Sequence, residues 1–285
     1  MRKLLCAIVP LLLCLTARAQ VEVEAEFFSL PEEITPEYID SVKIETVAPN
    51  DYWSIGVYGG ASAQVGYFNP PRLVKAHYQL PVYGFSVIRH FTMFGIFPNM
   101  GLEFGAQQNY EGYEFKTNKE SGYRATESGA YAVEINVPEA FFLTHFHIDM
   151  ADRTKLTARL GVYGGYRTSI RRILEEGYEN TAYVNYVEQF RDYDRRWTYG
   201  VQGGLGGGIM IDPFEFQLNI QVKWGWESFW EPDYASKYYY RFAYPLDVAL
   251  TFGLYYQLTP RHGYSRAKLR KMAKDIVNMS WKQEQ

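Results

Sequence analysis

His145 and His147 stand two residues apart, so a strand places both imidazoles on one face, with Asp149 in the same phase. Imidazole and carboxylate at that spacing are transition-metal ligands. A tetrahedral site takes three or four of them, and no third ligand can be placed beside the pair from sequence, so no metal is assigned. Glu103, Glu134 and Glu215 are the carboxylates that a hydrolase would use in pairs. No nucleophile, base and orienting group occur together, so no catalytic residue is assigned. The run Gly203–Gly208 is interrupted only by Leu205 and suggests a phosphate-cradling loop. Such a loop follows a strand and opens a helix. Here the glycines lie inside an alternating stretch, where small residues make room for large neighbours, and no cofactor is expected.

Two other groups carry interaction chemistry. Glu103, Arg159, Arg167, Glu215, Lys223, Glu227 and Asp247 fall in the polar phase of alternating segments and carry both signs of charge. A narrow polar interior would pair them as a charge network. Tyrosines gather in two of the connecting segments: Tyr178, Tyr183, Tyr186 and Tyr193 in one, and Tyr234, Tyr238, Tyr239 and Tyr240 in the other. Tyr supplies contact area at low entropic cost, so Tyr183, Tyr186, Tyr193, Tyr238, Tyr239 and Tyr240 form a candidate contact surface. An aromatic girdle with loop packing is the alternative.

The elements that position these residues read as strands. In 246–258, Leu246, Val248, Leu250, Phe252, Leu254, Tyr256 and Leu258 share one face, and Asp247, Ala249, Thr251, Tyr255 and Gln257 share the other. The segments 213–227, 196–212 and 155–167 repeat the design, and 52–67 and 99–116 follow it with more noise. In 78–91, Tyr83, Phe85 and Val87 compete with Val82 and Ile88 for the apolar face. In 130–148 the phase changes around Pro138, which predicts a bulge, because Pro cannot donate to a ladder. Short connections are expected at 94–98, 151–154 and Asp212-Pro213, and long ones at 68–77, 113–128, 168–195 and 228–244. The polar phase is rich in Gly, Ser, Thr and Gln, and aromatics gather at strand ends, as in an outer-membrane barrel.

The first residues set the compartment. Arg2 and Lys3, an apolar run from Leu4 to Leu15, and Ala17-Arg18-Ala19 together read as a secretory signal cleaved near Ala19. Both cysteines, Cys6 and Cys14, lie within it, so the mature chain needs no disulfide. The bulky Leu13 before Cys14 argues against a lipoprotein. Of 29 basic residues, three are removed with the signal, leaving 26 against 32 acidic ones and a net charge of -6. That balance does not favour nucleic acid. No later window offers the roughly 18 apolar residues of a membrane helix, so a membrane is crossed here only by a closed barrel. Residues 20–50 are an acidic periplasmic lead-in, 51–259 the barrel, and 260–285 a basic tail. In the tail Leu269, Met272, Ala273, Ile276 and Val277 form a stripe at helical spacing beside Arg266, Lys268, Arg270, Lys271 and Lys274.

Several stretches carry a family likeness. Val133–Pro138 enters the aromatic segment Phe141–Ile148. Leu160–Tyr166 and Gly200–Gly208 follow, and then a final alternating strand. Over residues 52–258 the chain resembles the porin-family, PorT-like outer-membrane β-barrel proteins common in Bacteroidota, whose founding member is associated with type IX secretion. The resemblance implies a place in an envelope secretion or assembly machine. It departs at the last strand: about 27 residues follow Leu258, where such barrels end on a terminal aromatic, and Tyr255 or Tyr256 would stand in for that signal.

The expected fold is all-β: an eight-stranded antiparallel up-and-down transmembrane barrel in a Gram-negative outer membrane, with a short C-terminal amphipathic helix. Its expected partners are outer-membrane lipid and, through loops or tail, a periplasmic or outer-membrane protein. The expected function is a non-catalytic binding or structural module. The alternatives are a barrel enzyme acting on lipid or peptide, and a soluble periplasmic lipocalin-like carrier.

Overall fold

The structure is a computed structural model and describes residues 51–93, 97–151, 153–178 and 181–259. The expected signal, acidic lead-in and helical tail and both cysteines lie outside the described residues, as does the side chain of Asp149. The strands are β1 (Tyr52–Asn69), β2 (Val74–Lys75), β3 (His77–Met93), β4 (Phe97–Phe115), β5 (Ala130–Ala151), β6 (Thr154–Tyr166), β7 (Ser169–Leu174), β8 (Trp197–Ile211), β9 (Phe214–Gly225) and β10 (Phe242–Gln257). A single 3-10 turn, Ala182–Tyr186, interrupts the connection between β7 and β8 among the described residues.

All pairings between these strands are antiparallel, in the order β2-β4-β3-β1-β10-β9-β8-β6-β5-β7, and β4 also pairs with β5. The sheet therefore closes on itself through β1, β3, β4, β5, β6, β8, β9 and β10. The first and last of these are zipped together from Ser54↔Gln257 to Asn69↔Phe242. Closure leaves no edge strand in the ring. The sheet has ten strands where eight were expected, because β5, at 22 residues, outruns β6, at 13. Above that point the backbone of β5 needs another partner, and β7 supplies it from Asn136↔Ser169 upward. The two-residue β2 extends β4 in the same way at Val74↔Phe115.

The alternation sorts the wall. On β10, Val248, Leu250, Phe252 and Leu254 are exposed, while Asp247, Ala249, Thr251 and Tyr255 are buried. On β9, Leu218, Ile220 and Val222 are exposed, while Glu215, Gln217, Asn219 and Lys223 are buried. A soluble sheet turns its apolar face inward. This wall turns it outward, as a lipid-facing barrel does. On β3 the contest resolves with Tyr83 and Phe85 outward and Val82 and Ile88 inward. Aromatics ring both rims: Tyr166 packs on Trp197 at 5.1 Å and Tyr199 on Trp226 at 6.5 Å at one end, and Phe214 packs on Tyr256 at 5.5 Å at the other.

The predicted bulge at Pro138 is absent. β4 pairs β5 without a register shift from Met100↔Phe146 to Glu114↔Ala132. On its other edge β5 pairs β6 up to Glu139 and β7 from Asn136 upward, so Pro138 sits at the handover, where no donor is required. Odd-numbered residues face inward throughout: Val133, Ile135 and Val137 above, Glu139, His145 and His147 below. The apparent change of phase is a change in what the interior is made of. The glycine run belongs to β8, where a Cβ at Gly206 would fall on the Asn219 side chain.

Candidate functional site

The chain termini of the ring, Tyr52 and Gln257, lie at one end, with the short connections β3–β4, β5–β6 and β8–β9. The long connections lie at the other. From the turn end upward, buried charges fill the barrel in layers. Lys155 of β6 pairs with Glu215 of β9. Next, Arg159 lies 3.3 Å from the Glu103 carboxylate, which also accepts from Ser86 at 2.8 Å. Higher still, the Lys223 ammonium donates to both oxygens of Glu139 at 2.6 and 2.7 Å and lies 3.4 Å from Asp247. Gln107 donates to Glu139 and Asn109 to Asp247, each at 2.8 Å. At the top, Arg167 donates to Glu111 at 2.8 Å, and Thr198 donates to the other Glu111 oxygen at 2.7 Å. Each charge is buried yet held by an opposite one, as a low-dielectric interior demands.

Above this column the loop end has its own core. Phe68, Tyr113, Phe115, Val133, Ile135, Ile170, Phe229 and Trp230 pack into one apolar cluster. Arginines tie the connections over it. Arg172 of β7 donates to the Tyr186 and Gln189 carbonyls at 2.6 and 2.7 Å and to Asp194 at 2.6 Å. Glu127 accepts from Arg72 at 2.9 Å, from Arg241 at 2.6 Å and from the Tyr234 hydroxyl. Burial and that carboxylate push the Tyr234 hydroxyl pKa above the ordinary tyrosine value. Tyr234 stacks on Tyr193, centroids 4.4 Å apart. A cavity of about 20 Å³ between Tyr113, Arg167, Arg172 and Trp230 has room for roughly one water.

Of the charged residues singled out in the sequence, Glu103 meets Arg159 and Lys223 meets Asp247. Arg167 and Glu215 are buried but pair with Glu111 and Lys155, which sequence reasoning missed. Glu139 and Arg172 were missed as well. Strand parity was the available signal for two of them, since Lys155 shares the phase of Thr157 and Arg159, and Glu111 that of Glu103 and Asn109. Glu227 is not in the column: it lies half-buried beyond the end of β9, 3.5 Å from Arg195. Glu134 is outside it too and binds His77 at 3.0 Å at the loop end. Tyr183, Tyr186, Tyr238, Tyr239 and Tyr240 are exposed, Tyr238 almost fully, whereas Tyr193 is built into the cap. His145 and His147 point into the turn end of the interior, where β3 adds His90 beside them.

A family model described as outer membrane protein beta-barrel domain matches residues 45–231, more than half of the chain. Among solved structures, the attachment invasion locus protein Ail of Yersinia pestis is 9% identical with a TM-score of 0.35, over 72% of this chain and 99% of that one. Neisserial surface protein A is 10% identical with a TM-score of 0.33, over 72% and 97%. The outer membrane protein AlkL, solved in lipid bilayers, is 13% identical with a TM-score of 0.32, over 74% and 93%. The comparison with curated proteins finds no match.

Proposed function

The chain belongs to the outer-membrane β-barrel domain family and is an outer-membrane β-barrel protein, and from that premise we propose that it is a non-catalytic binding module that presents its loop end to a protein partner. Eight long strands cross the membrane, the turn end faces the periplasm and the loop end faces outward. Export uses the N-terminal signal, with cleavage after Ala19, and the basic tail of 260–285 meets the inner leaflet or a periplasmic partner. The PorT-like resemblance favours, as that partner, a component of an envelope secretion or assembly machine.

One observation carries this reading: the interior is packed with paired charges from Lys155–Glu215 up to Arg167–Glu111, while the cap above it leaves five of the six candidate tyrosines at the surface. A filled eight-strand barrel conducts little, and carboxylates clamped by Lys and Arg are poorly placed for acid–base work. The cap offers the contact area. The test is purification from outer-membrane fractions in mild detergent, with a boiled-versus-unboiled gel shift on the same sample and the isolated barrel in a planar bilayer. The reading expects a heat-shifting band with a stoichiometric partner and no large conductance. A porin-sized conductance, or a barrel that purifies alone and hydrolyses lipid or peptide, would overturn it.

A further inference from the structure

The protein has five histidines, and three of them meet inside the turn end of the barrel. His90 comes from β3, three residues before that strand ends, and His145 and His147 come from β5. The strand between them is β4, and its residue in register with both His90 and His145 is Gly101. A Cβ there would stand 3.3 Å from His90 Nδ1. Two strand spacings, roughly 10 Å, separate the β3 and β5 backbones. The rings close that gap over the glycine. Their centroids lie 5.2 Å (His90–His145), 5.1 Å (His90–His147) and 5.9 Å (His145–His147) apart, each pair edge to face. One ring nitrogen from each lies within 4.8 Å of the other two, and all three side chains are buried.

We propose that His90, His145 and His147 form a binding site for a divalent late first-row transition ion, with zinc as the reference case. Three neutral imidazoles are a ligand set that such ions favour, and three protein ligands leave a fourth position for water or a solute. A histidine ligand is usually oriented by a carboxylate on its other nitrogen. Here Glu103 Oε2 stands 3.6 Å from His145 Nδ1, and Glu103 is itself fixed by Ser86 and Arg159. Tyr52 stacks on His90 at 4.2 Å and limits its rotation. The nearby cations do not oppose the ion with free charge, since Arg159 is paired with Glu103 and Lys155 with Glu215. Metal–nitrogen bonds of about 2.0 Å bring tetrahedral ligand atoms to roughly 3.3 Å from one another. Binding therefore draws the rings inward by about an ångström, which side-chain rotation supplies. The cluster lies close to the ends of β3 and β5, at the turn end and away from the loop surface.

The test uses the full mature chain without a polyhistidine tag, folded in detergent, stripped with chelator and titrated with zinc against a chromophoric competitor. The expected result is one zinc per barrel, with a heat-shift temperature that rises with zinc concentration. His90→Gln and His147→Gln each weaken binding by about tenfold or more, and Glu103→Gln by roughly 10- to 100-fold. His77→Gln, at the loop end beside Glu134, leaves it unchanged. X-ray absorption of the zinc-loaded wild type should show about three nitrogens at roughly 2.0 Å. This last readout stands even where a variant does not fold. A heat-shifting wild type that retains no stoichiometric zinc, an all-oxygen shell, or unchanged affinity in both histidine variants would each overturn the proposal.

Discussion

The lower column of the barrel interior and the cap at its loop end are both rich in buried cations, but they satisfy them differently. In the column, Lys155, Arg159 and Lys223 are held mainly by carboxylates on neighbouring or facing strands. In the cap, Arg172 uses two of its bonds on the Tyr186 and Gln189 carbonyls, and at the boundary between the two regions Arg167 holds Glu111 while also donating to the carbonyls of Arg195 and Ser228. In the column the strand ladders take up most of the backbone groups, so a charge finds mainly side chains. In the cap the connections have carbonyls to offer, and an arginine with five donors can collect them. Column cations therefore neutralise, whereas cap cations organise chain. The two regions should fail in different ways when a cation is removed.

The column should be the costlier place to lose one. Lys223→Met strands the Glu139 and Asp247 carboxylates in the interior, both buried. Breaking a buried pair by removing one partner costs about 3–5 kcal/mol. Urea unfolding in detergent should report that loss over the whole barrel, together with a lower heat-shift temperature. A loss under about 1 kcal/mol would mean that water reaches mid-barrel, and the distinction between the regions would collapse. The lipid-facing side of the same wall gives the next effect. Leu250→Arg, outward at the centre of β10, should cost about 2–4 kcal/mol when unfolding is followed from lipid vesicles. A negligible cost there would place that face in water.

The two regions also differed in how much could be read beforehand. The long strands were visible because apolar and polar residues alternate over ten or more positions, as in Leu246–Leu258. Glu103 and Arg159 could be put in the interior by parity alone. The cap was hidden. β7 is six residues long, and Arg172 within it looks like any loop arginine until β7 is seen to extend the pairing of β5. Val133, Ile135 and Val137 read as a slip of phase, because nothing in the sequence says that the interior turns apolar near the loops. His90 escaped for a related reason. It lies 55 positions before His145, and only the register of β3, β4 and β5 across Gly101 brings the two together. Alternation tells which face a residue takes. It does not tell its height along the barrel.

Removing a cap cation should be milder and local. Arg172→Ala deletes two bonds to carbonyls and the Asp194 pair. Charge-assisted hydrogen bonds are worth about 1.5–3 kcal/mol. The expected readout is trypsin cleavage at Arg191 and Arg195, with the heat shift of the barrel retained. Simultaneous loss of the barrel would show that cap and column fold as one cooperative unit.

The smallest effect on stability should come with the largest effect on binding. Tyr238, Tyr239 and Tyr240 stand exposed on the connection before β10, Tyr238 at 97%. Replacing them with serine removes little that is buried, and exposed substitutions usually stay within about 0.5 kcal/mol. Tyr193 is the matched control, because it stacks on Tyr234 and belongs to the cap core. Tyr193→Ser should therefore loosen the connection and increase its proteolysis, whereas the triple change should not. If the exposed trio anchors a partner, aromatic hot spots of about 2 kcal/mol each predict at least a thirtyfold loss of co-purification from outer-membrane fractions. The opposite pattern, partner retained by the triple variant and lost by Tyr193→Ser, would move the contact surface from the projecting tyrosines to the cap beneath them.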